Sequence, residues 1–107
     1  MKTYTGSRTE NGCAVIVTDG DDCRGLDPRF DLRNHSPTGF EWGYGGSGPA
    51  QLALALAADV LGDDEAAIGV YQRLKFRVVG RLANDGWTLT EAELAEAIRV
   101  LARTDRE

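Results

Sequence analysis

The run Phe40-Glu41-Trp42-Gly43-Tyr44-Gly45-Gly46-Ser47-Gly48-Pro49-Ala50-Gln51-Leu52 concentrates more candidate chemistry than any other stretch of this 107-residue chain. Glycines just ahead of a helix leave backbone N–H groups unpaired, and the helix dipole adds positive potential there, so such a turn can hold an anion or a small ligand. The candidate ligand-binding set is therefore Gly45, Gly46, Ser47 and Gly48, with Glu41, Trp42, Tyr44 and His35 around the mouth. Known phosphate motifs do not fit. No lysine follows Gly48, as a G-x-x-x-x-G-K-[ST] loop requires. Gly43, Gly45 and Gly48 have G-x-G-x-x-G spacing, but no first strand of a βαβ unit precedes them, and Pro49 removes an amide.

Catalytic constellations fail in the same way. Ser47 lacks the glycine of a G-x-S-x-G elbow because position 49 is proline, so a helix-capping serine is the better reading. His35 is the sole histidine, and nothing in the sequence brings it to Ser47. Cys13, Cys23 and His35 match no zinc spacing, and Asp19-Gly20-Asp21-Asp22 lacks the rest of a calcium ladder. No metal, no cofactor and no enzymatic activity are expected. With a hairpin turn at 19–22, Thr18 faces Cys23, and Cys13 lies roughly 16 Å away at strand rise, too far for a disulfide.

Two further features concern charge. Arg73, Arg77 and Arg81 recur at i,i+4 steps and form one basic stripe, a candidate partner-binding surface. Lys75 falls within the apolar arc of the same helix, where a charge needs a partner, and Glu41 is the expected one. That Glu41–Lys75 pair would tie the aromatic-glycine turn to the second helix.

The elements that must position these residues follow from periodicity and turn chemistry. Tyr4 lies in a short extended segment ending at Gly6, Cys13–Thr18 is a strand apolar on both faces, and Cys23–Leu26 is a second short strand. Residues 27–39, with two prolines, form an ordered loop long enough to have a function. Pro49 suits a first helical position. Gln51 and Asp59 are the polar residues between Ala50 and Leu61, so that helix should be central and buried, with Gly62 ending it. A second helix opens on Asp63-Asp64-Glu65 and runs to about Leu82. Asn84-Asp85-Gly86 reads as a turn, and Thr90-Glu91-Ala92-Glu93 as a capping box with Leu89 as staple, starting a third helix that ends near Arg103. The expected fold is α+β, a small N-terminal antiparallel sheet of two to three strands packed with a C-terminal three-helix unit. It forms one domain, residues 1–107, divided into a strand and loop half (1–39), the aromatic-glycine turn (40–48) and three helices (49–104).

Composition narrows the function classes. The chain is 42% apolar and 27% charged with a net charge of −5, which suits a folded, soluble protein and argues against direct nucleic-acid binding. Acidic excess is spread evenly, −2 over residues 1–48 and −3 over 49–107. No signal-like apolar segment follows Met1, and Leu52–Ala58 is too short to span a bilayer, so a cytoplasmic protein without membrane contact is expected. The first helix is apolar enough that a homodimer covering one side of it is a further expectation.

Asp31-Leu32-Arg33-Asn34-His35-Ser36-Pro37-Thr38-Gly39, the aromatic-glycine-proline string through Ala55, Gly62-Asp63, Tyr71–Phe76 and Trp87–Thr90 together resemble a small uncharacterised family. Its members are proteins of roughly one hundred residues from bacteria, haloarchaea and phages. The resemblance covers most of the chain and brings no activity, cofactor or catalytic residue with it. Occurrence in phages and mobile elements implies a partner-binding accessory protein. The leading expectation is thus a non-catalytic interaction or accessory protein with a protein partner. The alternative is a small-ligand or anion-binding domain built on the glycine-rich turn.

Overall fold

A computed structural model describes residues 2–104; residue 1 and residues 105–107 of the expected domain lie outside the described residues. The fold is α+β. Strands β1 (Lys2–Thr9), β2 (Gly12–Asp19) and β3 (Asp22–Gly25) precede helices α1 (Ser47–Leu61) and α2 (Asp64–Arg77). A 3-10 turn over Val79–Arg81 leads into β4 (Gly86–Thr90), which passes directly into α3 (Glu91–Thr104). The sheet is antiparallel in the order β3-β2-β1-β4.

Four strands, not two or three, correct the expected sheet. The additional strand is β4, whose start coincides with a glycine that reads as part of a turn and whose Leu89 reads as a helix staple. It pairs with β1, Gly6 opposite Trp87 and Tyr4 opposite Leu89. β1 also continues beyond Gly6 to Thr9, because a tight hairpin sets Thr9 opposite Gly12. The Thr9 hydroxyl accepts from the Asn11 amide and donates to the Gly12 carbonyl, both at 3.1 Å, which holds that turn. Thr18 pairs with Cys23, as the hairpin reading required, and both cysteines are free.

One face of the sheet covers the core. Tyr4, Val15, Val17 and Trp87 point inward, whereas Thr5, Ser7, Ala14 and Thr88 are exposed. The period-2 alternation puts Ile16 on the outer face, so β2 is not covered on both sides as its composition suggested. Gly6 occupies an inward position because the Trp87 ring crosses it; a Cβ there would lie 2.3 Å from the indole.

Helix α1 is the centre of the molecule, with every residue from Gly48 to Ala58 buried. The sheet, α2 and α3 of the same chain surround it, so the apolar face that suggested a dimer is already covered. Gly46 caps the helix and Pro49 is its third residue, not its first. Gly62 ends it in the left-handed region with its N–H on the Ala58 carbonyl. Asp63 caps α2 by accepting from the Ala66 amide at 3.1 Å. The capping box at α3 is complete: the Thr90 amide donates to Glu93 at 2.8 Å and the Glu93 amide donates to Thr90 at 3.1 Å.

Helix α2 stops at Arg77, short of the expected Leu82. Val78 leaves helical geometry, and the following turn receives the aromatic-glycine loop: the Gly43 amide donates to the Val79 carbonyl at 3.0 Å. A Cβ on Gly80 would lie 3.2 Å from the Tyr44 carbonyl oxygen, so close backbone packing replaces the last helical turn. No described helix is long and apolar enough to cross a membrane.

Candidate functional site

The aromatic-glycine string wraps under the C-terminal end of α2 and enters α1. Its first half is anchored. Trp42 is fully buried, its indole N–H donates to the Asn84 carbonyl at 3.1 Å, and its ring meets Trp87 edge-on with centroids 5.4 Å apart. Gly43 takes φ +86°, a conformation that costs a non-glycine residue, and this turns the chain away from the core.

Arg8 is the tie between sheet and loop, and no local pattern in the sequence announces it. Its guanidinium is 2.8 Å from the Glu41 carboxylate, lies 4.8 Å over the Trp42 ring, and donates to Cys13 Sγ at 3.0 Å and to the Trp42 carbonyl at 3.3 Å. It also donates to the Asn84 carbonyl. Burial pushes the Glu41 carboxyl up, but Arg8 and the Cys13 thiol outweigh it and hold Glu41 below the ordinary range. Burial and the neighbouring Glu41 raise the Cys13 thiol, which keeps it protonated and a poor nucleophile.

This geometry corrects the expected Glu41–Lys75 pair. Glu41 bonds Arg8, reached across the sheet, and the Lys75 ammonium sits 4.3 Å over the Phe76 ring. Lys75 escapes its apolar arc by cation–π contact at the surface instead of by ion pairing.

The second half of the string is open to solvent. Tyr44 is 52% exposed, its ring folded over Gly46, and Phe76 is 60% exposed beside Gly45. Ser47 is the first residue of α1, exposed and without a capping hydrogen bond at the helix start. Gly48 packs on the Glu41 stem, where a Cβ would fall 2.5 Å from the Glu41 Cβ. The Glu41 stem therefore covers part of the first turn of α1, while its carboxylate is turned to Arg8.

His35 does not join Tyr44–Gly48. Its ring Nε2 lies 2.7 Å from the Tyr71 hydroxyl, and its amide donates to Gln51 Oε1 at 2.7 Å. Gln51, fully buried, also accepts from the Ser36 amide and donates to the carbonyls of Pro28 and Arg33 at 2.6 and 3.0 Å. One amide therefore fastens the 27–39 loop onto α1. The other polar residue of that helix, Asp59, accepts from the Tyr4 hydroxyl at 2.7 Å and pairs with Arg24 at 2.8 Å and Lys2 at 3.3 Å. Burial, then the hydrogen bond to Asp59, lift the Tyr4 phenol well above the ordinary tyrosine range. Beside Asp59 is a recess of about 380 Å³ edged by Arg24 and Arg29, and both guanidiniums are engaged by carboxylates.

The basic stripe is divided. Arg73 donates to the Gly69 carbonyl, while Arg77 at the end of α2 and Arg81 in the 3-10 turn line a single groove against α3. Among the described residues no group of three His, Cys, Asp or Glu side chains is placed to hold a metal ion.

Residues 4–100 match the sequence profile of a family of unknown function, DUF6166. The chain belongs to that family. No curated protein and no solved structure matches this DUF6166 member. The matched span takes in β1 from Tyr4 onward, the other three strands, both loops that pack on α1 and most of α3, so Arg8, Gln51 and Asp59 lie within the family's extent and Lys2 lies outside it.

Proposed function

We propose that this protein is a non-catalytic interaction or accessory protein that acts by binding a protein partner. The observation that carries the proposal is the pair Tyr44 and Phe76. Two large aromatic rings stand exposed beside Gly45 and Gly46, while the adjoining backbone is fixed by Trp42, Gly43 and Arg8. Rigid aromatic side chains lose little entropy on binding and are enriched at the centres of protein interfaces. A net charge of −5 favours a protein partner over direct contact with nucleic acid. Resemblance to phage and mobile-element proteins suits a cytoplasmic factor that acts on a host or element protein.

The test is affinity capture from a bacterial lysate with wild type and the Tyr44→Ser/Phe76→Ser double variant as baits. A protein retained by wild type and lost with the double variant, at unchanged melting temperature, supports the reading. Equal retention by both overturns it.

One feature favours a second reading, a small-ligand or anion site at the same turn: the α1 N-terminus has no side-chain cap and no acidic residue in its first turn. Phosphate, nucleotides and sugar phosphates would then raise the melting temperature. A flat response across that panel removes this alternative.

A further inference from the structure

Arg77, Val78 and Arg81 face Ala97, Val100 and Leu101 of α3 across an open groove of about 290 Å³. Its floor is aliphatic, and Val100 remains 47% exposed there. Both arginines are exposed, and neither has a carboxylate within ion-pair distance among the described residues. Lys2, Arg8, Arg24, Arg29 and Arg99 pair with acids of the chain, whereas Arg77 and Arg81 stand together beside apolar surface with their guanidiniums open to an outside carboxylate. We propose that the groove docks an acidic amphipathic helix of a partner protein, with apolar side chains on the aliphatic floor and carboxylates on Arg77 and Arg81. The proposal rests on the interaction reading above and names the partner's chemistry.

Charge complementarity selects this occupant. A guanidinium offers a planar fork that takes a carboxylate in two parallel hydrogen bonds, and an unpaired pair of them beside apolar surface suits an anionic amphiphile. A groove between helices matches the seating of a helix whose apolar residues recur every three to four positions. A second copy docking this groove against itself would bring four arginines and no carboxylate of the groove lining into one interface, an unfavourable concentration of like charge. Single-stranded nucleic acid needs stacking rings, and no aromatic residue lines the groove. The small volume implies a weak, reversible contact.

Two synthetic peptides test this by amide chemical-shift mapping on the full chain. One is an amphipathic helix with leucine on one face and glutamate at all other positions; the other has lysine in place of each glutamate. The acidic peptide is expected to shift the amides of Arg77, Arg81, Ala97 and Leu101. Arg77→Gln/Arg81→Gln should weaken it by about tenfold, the loss of a charge-assisted contact. Val100→Glu should weaken it too, and the exposed-loop control Arg33→Gln should not. The lysine peptide should leave these amides unmoved.

The proposal is overturned if shifts are absent up to about 1 mM peptide, the weak limit of specific association. It is equally overturned if they map elsewhere or are the same for both peptides. Shifts at these amides on dilution without peptide would assign the groove to a second copy, and shifts with dodecanoate but not peptide would assign it to a lipid chain. Either result overturns the proposal. Loss of the peptide response while Tyr44 and Phe76 still govern lysate capture would refute the groove alone, not the interaction reading.

Discussion

The side-chain oxygen of Gln51 accepts the backbone N–H of His35 at 2.7 Å, and through it the helix at the centre of the core holds the 27–39 loop. All four hydrogen-bonding positions of that amide are used, two accepting and two donating. Gln51→Leu would leave the amides of His35 and Ser36 and the carbonyls of Pro28 and Arg33 without this partner. A loss of about 3 kcal/mol in unfolding free energy is expected from stranding such groups, read by urea denaturation. Faster hydrogen exchange at His35 and Ser36 should accompany it.

Gly6→Ala should be among the more damaging single substitutions. The added methyl meets the Trp87 indole, which is itself confined by Trp42, so neither ring can yield freely. Overpacking of this kind costs about 1–3 kcal/mol. A shift of the denaturation midpoint with an altered tryptophan fluorescence maximum is the expected signature.

Asp59 should contribute to stability on the acid limb. Burial opposes its charge, but the hydrogen bond from Tyr4 and the charges of Arg24 and Lys2 hold its carboxyl below the ordinary range in the folded protein. A depressed folded-state value stabilises the fold above the unfolded carboxylate value of about 3.9, and that contribution disappears as pH falls through the folded value. Wild type should therefore exceed Asp59→Asn in urea midpoint at pH 7, and the two curves should converge in acid. A constant gap down to the acid end would contradict this.

Thr90→Ala removes one half of the α3 capping box. The expected cost is about 1 kcal/mol, measured by thermal or urea unfolding. Thr90→Ser, which keeps the hydroxyl on the Glu93 amide, should restore most of it.

Much of the helical half was legible in advance because its signals are local. The apolar run ending at Gly62 and the Thr90–Glu93 box each involve contacts within a few residues, and the Thr18–Cys23 register follows from a short turn. Gln51 and Asp59 stood out as lone polar groups in a buried helix, which demands partners, but neither partner set could be named because the contributing residues lie far along the chain. Arg8 gave no signal, since an arginine on a strand carries no pattern that points to Glu41 and Asn84. The pairing of Lys75 with Glu41 failed for the same reason: a wheel places a charge on a helix face but says nothing of which strand reaches the loop first. β4 carries no signal of its own in the sequence because a five-residue strand fused to a helix offers no separating turn.

Strand order carries a consequence for synthesis. β1 is flanked by β2, which leaves the ribosome soon after it, and by β4, which emerges only after both α1 and α2. A nascent chain that has exposed β1–β3, α1 and α2 already presents an apolar helix and one wall of its sheet, yet lacks Trp87 to close over Gly6. Contacts this distant in sequence slow folding and leave intermediates open to misassociation. The core therefore closes only after β4 has followed α1 and α2, and the interval before β4 arrives is when α1 most needs shielding from other chains.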